Sequence, residues 1–148
     1  MKYFDELYEG EIIITAARTM TETDVVMFAA TTGDYNPVHT DAEYMKKSQY
    51  GQRIVHGLLG LSVSQGLLFR TGILDGSAIA FAGIDELRFT APIKIGDTIH
   101  GEVTVAKLAA SKSKPDRGIV YFDYKLVNQN GEIVQTSIQK IMLMKKPV

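Results

Sequence analysis

Cysteine is absent from all 148 residues. Its absence removes disulfides, thiolate metal sites and cysteine nucleophiles together, and it accords with a reducing compartment. Net charge is nearly absent too. Sixteen Lys and Arg stand against seventeen Asp and Glu, a formal balance of −1, so no global field draws the chain to nucleic acid or to an anionic membrane. No apolar run approaches the roughly 20 residues needed to cross a bilayer. The stretch from Met1 to Glu11 has no basic start and no apolar centre, and carries Asp5, Glu6, Glu9 and Glu11 instead, so no secretory signal is expected in it. Repeats, low-complexity segments and linkers are lacking as well. The expectation is one domain over 1–148, cytoplasmic, with neither a nucleic-acid nor a membrane partner.

What is present divides into two halves. In the first, Thr19 or Thr21 can cap a helix whose first turn holds Glu22 and Asp24. Val25, Val26, Phe28 and Ala29 give that helix an apolar side, and Gly33 is a natural left-handed stop. After the extended Asn36-Pro37 step, Thr40 to Glu43 matches a capping box for a short second helix. A third helix is expected over 57–71. Leu58, Leu59, Leu61, Val63, Leu67, Leu68 and Phe69 cover more than one of its faces, with small Gly60, Ser62, Ser64 and Gly66 between them. A helix apolar nearly all round is a buried helix.

Strands occupy the second half. Ile79, Phe81, Leu87 and Phe89 alternate, with a bulge fitting at Gly83 and Asp85. Ile99, Gly101, Val103 and Val105 share one strand face, and Val120, Phe122, Tyr124 and Leu126 share another. Asn130-Gly131 signals a tight hairpin into a last strand from about Ile133 to Met144, and a short strand near Ile12 to Ile14 is expected at the sheet edge. Consecutive antiparallel strands packed on a buried helix make an α+β fold.

Two polar stretches carry the chemistry: Thr32-Gly33-Asp34-Tyr35-Asn36-Pro37-Val38-His39, and Ile54-Val55-His56-Gly57. Asp34 follows a helix stop and His39 precedes a helix start, with the Asn36-Pro37 step between to bring them together. A carboxylate beside an imidazole fixes the ring's tautomer, and the pair can hold and deprotonate a water. Gly57 begins the buried helix, so its N–H has no intrahelical acceptor and the helix dipole favours negative charge there. A thioester oxygen turning enolate-like is stabilised at such a point, and glycine lets a substrate approach the backbone closely.

At these residues the chain resembles the MaoC-like, (R)-specific enoyl-CoA hydratases. Gly33-Asp34-Tyr35-Asn36-Pro37-Val38-His39 with Asp41 and Ser48 is similar to their hydratase-2 motif, and Arg53-Ile54-Val55-His56-Gly57 to the turn opening their central helix. Phe89-Thr90-Ala91-Pro92 and Gly96-Asp97-Thr98 resemble their strand-turn-strand segment. The resemblance implies a single hotdog domain, an antiparallel sheet wrapped around a long central helix. It implies reversible syn addition of water to a trans-2-enoyl-CoA, with the (R)-3-hydroxyacyl thioester as product. Asp34 and His39 correspond to the pair that activates water, Gly57 to the oxyanion-hole donor, and Asn36 to a residue ordering the loop and its water. His56 and Gln65 join Asn36 in the substrate-binding set; His56 is expected to orient its turn rather than react, and Gln65 stands where some relatives have serine.

Taken singly, Asp34 is an ordinary turn former and His39 a surface residue; their joint spacing, with the family match, makes them a site. His39, Asp41 and His56 lack tight ligand spacing, so no metal is expected, and no cofactor apart from the coenzyme A of the substrate. His100 reads as surface, and Lys112, Lys114 and Arg117 as a solvated loop. Two other functions compete on the same fold. A hotdog thioesterase commonly carries a carboxylate on the central helix, and 58–71 contains no Asp or Glu; a non-catalytic acyl-thioester binding module is the other. The expected partner is an acyl-CoA or acyl carrier protein thioester, and an exposed sheet edge implies at least a homodimer, or a dimer of dimers.

Overall fold

A computed structural model describes residues 1–147. Beyond a 3-10 turn at Phe4–Glu6, the elements in chain order are β1 (Ile12–Ile14), β2 (Arg18–Thr19), α1 (Glu22–Thr32), α2 (Pro37–Thr40), α3 (Ala42–Lys46), α4 (Gly57–Phe69), β3 (Ala78–Phe89), β4 (Thr98–Ala110), β5 (Arg117–Val127) and β6 (Ile133–Met144). The strands form one antiparallel sheet in the order β1-β4-β5-β6-β3, with β2 pairing separately to β4. Among the described residues no helix is long and apolar enough to cross a membrane.

The period-2 pattern on β4 and β5 decides which face is inside. Ile99, Val103 and Val105 on β4 and Val120, Phe122, Tyr124 and Leu126 on β5 are all buried, and each such apolar side chain contributes about 1.5–3 kcal/mol. Their partners against the sheet are Leu59, Val63, Leu67 and Leu68 of α4. Helix and sheet are also tied by a polar link: the Tyr124 hydroxyl donates to the Ser64 carbonyl at 2.7 Å. Burial raises the pKa of that phenol, a hydrogen bond with Thr15 opposing it.

Three expectations need correction. α4 is not enclosed all round: Leu58, Ser62 and Gly66 are exposed, because the sheet covers one side of the helix only. The capping box at Thr40 does not form. Asp41 caps α3 instead, accepting from Tyr44 N–H at 2.8 Å, while the Thr40 hydroxyl turns back to the Tyr35 carbonyl at 3.0 Å. The β5–β6 connection is longer than a two-residue hairpin. Asn128 closes it, its carbonyl accepting from Gly131 N–H and its N–H donating to the Glu132 carbonyl, both at 3.0 Å, with Gly131 left-handed at φ 75°. β3 is irregular as its sequence implies, with register shifts at Ala78/Ala80, Phe81/Gly83 and Asp85/Arg88, and β6 spans the expected residues.

Candidate active site

Each element bordering the site ends where its sequence dictates. Thr21 caps α1 in a reciprocal box with Asp24. At the other end Gly33 takes φ 77° and its N–H returns to the Ala29 carbonyl at 2.8 Å, so the chain leaves the helix sharply and delivers Asp34. Asn36 then caps α2, its Oδ1 accepting from Val38 N–H at 3.1 Å, with Pro37 at the first helical position where a missing N–H costs nothing. His39 lies in this single turn. Asp34 is exposed, His39 half-buried, and His56 buried with 2% of its surface accessible.

The two imidazoles can be assigned by their acceptors. His39 Nδ1 lies 2.8 Å from the Ile54 carbonyl, and a carbonyl only accepts, so Nδ1 carries the hydrogen and Nε2 presents its lone pair. His56 Nε2 lies 3.0 Å from the Asp34 carbonyl, which makes Nε2 the protonated nitrogen there; Nδ1 is buried without a partner. The rings stack with centroids 3.8 Å apart and planes at 27°. Phe28 packs on His56 at 4.9 Å.

These groups border a cavity of about 420 Å³ that Asp34, His39, His56 and Gly57 line together with apolar Val55, Leu58, Phe89 and Ile93. Gly57 opens α4, no side chain caps that end, and the first backbone bond of the helix runs from Gly60 N–H to the His56 carbonyl at 3.1 Å. The Gly57 N–H therefore has no intrahelical acceptor, and it belongs to a residue that lines the cavity. What comes close to Gly57 in this structure is a side chain. A Cβ on Gly57 would lie 2.8 Å from the Phe89 ring.

One ligand-type atom each from Asp34, His39 and His56 falls within 4.8 Å of the others, a set that sequence spacing did not suggest. A metal ion lies in the plane of each imidazole that binds it, and two rings stacked at 27° aim their lone pairs along nearly parallel planes. The set is better suited to proton transfer.

The structure thus brings Asp34, His39, His56 and Gly57 together. Asn36 acts on the loop through its cap and is not among the cavity's lining residues, and neither is Gln65. Gln65 lies eight residues beyond Gly57 on α4, about 12 Å along the axis, and is half-buried elsewhere on the helix. Sequence reasoning missed Tyr50, Phe89, Ile93 and Val134 as lining residues; Phe89 belongs to a recognised segment, but only the tertiary fold shows that its ring meets the head of α4.

The MaoC like domain matches residues 7–122. Protein MaoC of Klebsiella aerogenes is 40% identical over 103 residues, covering 70% of this chain but only 30% of that protein. An (R)-specific enoyl-CoA hydratase of Rhodospirillum rubrum is 32% identical over 112 residues, 76% of this chain and 75% of its own. Among solved structures, a monoamine oxidase regulatory protein from Archaeoglobus superposes with a TM-score of 0.90 at 37% identity, covering 99% of this chain and 96% of that one. The shared architecture is the hotdog fold.

Proposed function

The chain belongs to the MaoC-like domain family, and from its site we propose that it hydrates trans-2-enoyl thioesters reversibly to (R)-3-hydroxyacyl thioesters. The observation that carries this reading is the contact of His39 Nδ1 with the Ile54 carbonyl at 2.8 Å, from which the tautomer follows. Nδ1–H is committed to the Ile54 carbonyl, so Nε2 is a base beside the Asp34 carboxylate, in a cavity whose other wall is the Gly57 end of α4. Water held between Asp34 and His39 attacks C3 and gives up a proton to the pair. The pair returns a proton to C2, while Gly57 N–H receives the charge that gathers on the thioester oxygen. Both bonds form on one face of the alkene, so the addition is syn. The (R) hand comes from the likeness to the Rhodospirillum rubrum hydratase. The acyl carrier is coenzyme A or acyl carrier protein, and no resident cofactor takes part.

The test is incubation with crotonyl-CoA and a panel of longer and branched enoyl-CoAs, with products resolved by chiral chromatography and free thiol measured in parallel. The expected product is the (R)-3-hydroxyacyl-CoA without thiol release. Mostly (S) product breaks the reading, stoichiometric thiol favours a hydrolase, and failure across the panel favours a binding module.

A further inference from the structure

His56 touches both members of the base pair from a buried position in the wall of the cavity. Its Nε2–H holds the backbone of Asp34, 22 residues away in sequence. Its ring face lies on His39, and Phe28 of α1 packs on it as well. It is also the N-cap residue of α4, directly before Gly57. One buried side chain therefore connects the carboxylate loop, the imidazole and the head of the helix that carries the oxyanion donor. The remaining atom, Nδ1, is buried with no partner. A fold tolerates an orphaned polar atom where the rest of the group does something that a fully satisfied residue would not.

We propose that His56 is the positioning residue of this site, holding Asp34 and His39 in register with Gly57 through its hydrogen bond and its stack. It rests on the hydration reading above. The tautomer is dictated by geometry: a hydrogen on Nδ1 in place of Nε2 would set the Nε2 lone pair against the Asp34 carbonyl oxygen at 3.0 Å. Asp34 is otherwise an exposed loop residue whose carboxylate accepts one local bond, from Asn36 N–H at 3.3 Å, so the tie to His56 restrains it against drifting from the imidazole. The stack acts on His39 in two ways. It blocks rotation of the ring away from the cavity, and when Nε2 takes the proton of the attacking water, the resulting imidazolium lies on the electron-rich face of a second aromatic ring.

Three variants separate the contributions. In His56→Ala both links are lost. In His56→Gln a side-chain N–H can still reach the Asp34 carbonyl, and in His56→Phe a flat face remains on His39. With the best substrate of the panel, His56→Ala should lower kcat about 100-fold, the cost of a misplacement on the order of 1 Å, with KM changed by less, about threefold, because the apolar wall of the cavity remains. His56→Gln and His56→Phe should each recover part of kcat. Unchanged kcat in His56→Ala overturns the proposal, as does a loss confined to KM, or a failure of both Gln and Phe to exceed Ala. An independent arm needs no turnover. A two-bond proton–nitrogen correlation spectrum of 15N-labelled wild-type protein, at about pH 9 and so well above the ordinary imidazole range near 6.5, should show His39 protonated on Nδ1 and His56 on Nε2. The reverse tautomer at either residue overturns the proposal even with every variant folded. If wild type hydrates nothing, the hydration reading fails, while the tautomers of the resting protein still decide whether His56 holds the pair.

Discussion

Asp34 and His39 reach the cavity by different routes, one released from α1 by a left-handed glycine and the other seated in a single helical turn capped by Asn36. Their spacing in sequence conveyed that they meet. It did not convey that His39 is aimed by the Ile54 carbonyl or Asp34 by His56, since both contacts cross to the segment before α4. The division of labour makes the pair separable from stability. Asp34→Asn and His39→Ala should each lower kcat by about 10²- to 10⁴-fold, the usual range for a lost acid–base group, with melting temperature nearly unchanged in Asp34→Asn, whose side chain is exposed, and lowered modestly in His39→Ala, which gives up the bond to the Ile54 carbonyl and the stack on His56. Near wild-type hydration in either variant would remove that residue from the mechanism. Gly57 behaves differently. Gly57→Ala keeps the N–H but sets a methyl 2.8 Å from Phe89, so it should cost both stability and turnover. Phe89 is 53% exposed, and removing its ring makes room. The double variant Gly57→Ala/Phe89→Ala should therefore be more stable than the two single effects added, by a coupling of about 0.5–3 kcal/mol in denaturant unfolding. Strict additivity would mean that the ring does not set the requirement for glycine.

At the scale of elements, legibility followed the range of the forces involved. β4, β5 and β6 obey a period of two because one face meets α4, and the residues that alternate in sequence are the ones buried. α1 was legible at both ends because Thr21, Asp24 and Gly33 act on backbone within four residues of themselves. The two-residue strand β2 and the Asp41 cap were not, since β2 exists only through its pairing with β4 and Thr40 and Asp41 compete for one helix start with similar local chemistry. The α1 box makes a pH-dependent prediction. Burial pushes the Asp24 carboxyl up, but hydrogen bonds from Thr21 and Arg18 outweigh it and hold the pKa below its usual 3.8. A depressed carboxyl stabilises the fold in full above its unfolded pKa, and loses that contribution as pH falls through the folded value. Asp24→Asn should thus be less stable than wild type by about 1 kcal/mol, a typical cap contribution, near neutral pH. The gap should close below pH 3.8. A gap of constant size down to strongly acidic pH would assign the effect to packing instead of charge.

For the whole molecule, the sheet ends at β3, which pairs with β6 along one edge. None of its residues is buried, and Ile79, Phe81 and Phe89 stand 38%, 42% and 53% exposed. An edge of twelve residues carrying apolar side chains is a template for another strand. Its bulges and the left-handed Glu86 at φ 53° interrupt it without closing it. The exposed stripe of α4 that begins at Leu58 is a second surface that this one sheet does not cover. Phe89 belongs both to β3 and to the cavity wall, so whatever covers the strand also bounds the site. We propose that the cover is a second copy of the chain, paired β3 to β3 in an isologous interface that extends the sheet. Light scattering at micromolar concentration should then report about twice the 16.3 kDa of a single chain. Phe81→Lys, a charge of the kind that natural edge strands use against pairing, should shift the mass towards one chain while circular dichroism keeps its strand signal. Turnover should fall with the mass, because the wall at Phe89 loses its support. A wild-type mass of 16.3 kDa with full activity would show that the site is complete in one chain and that the exposed edge of β3 is left to solvent.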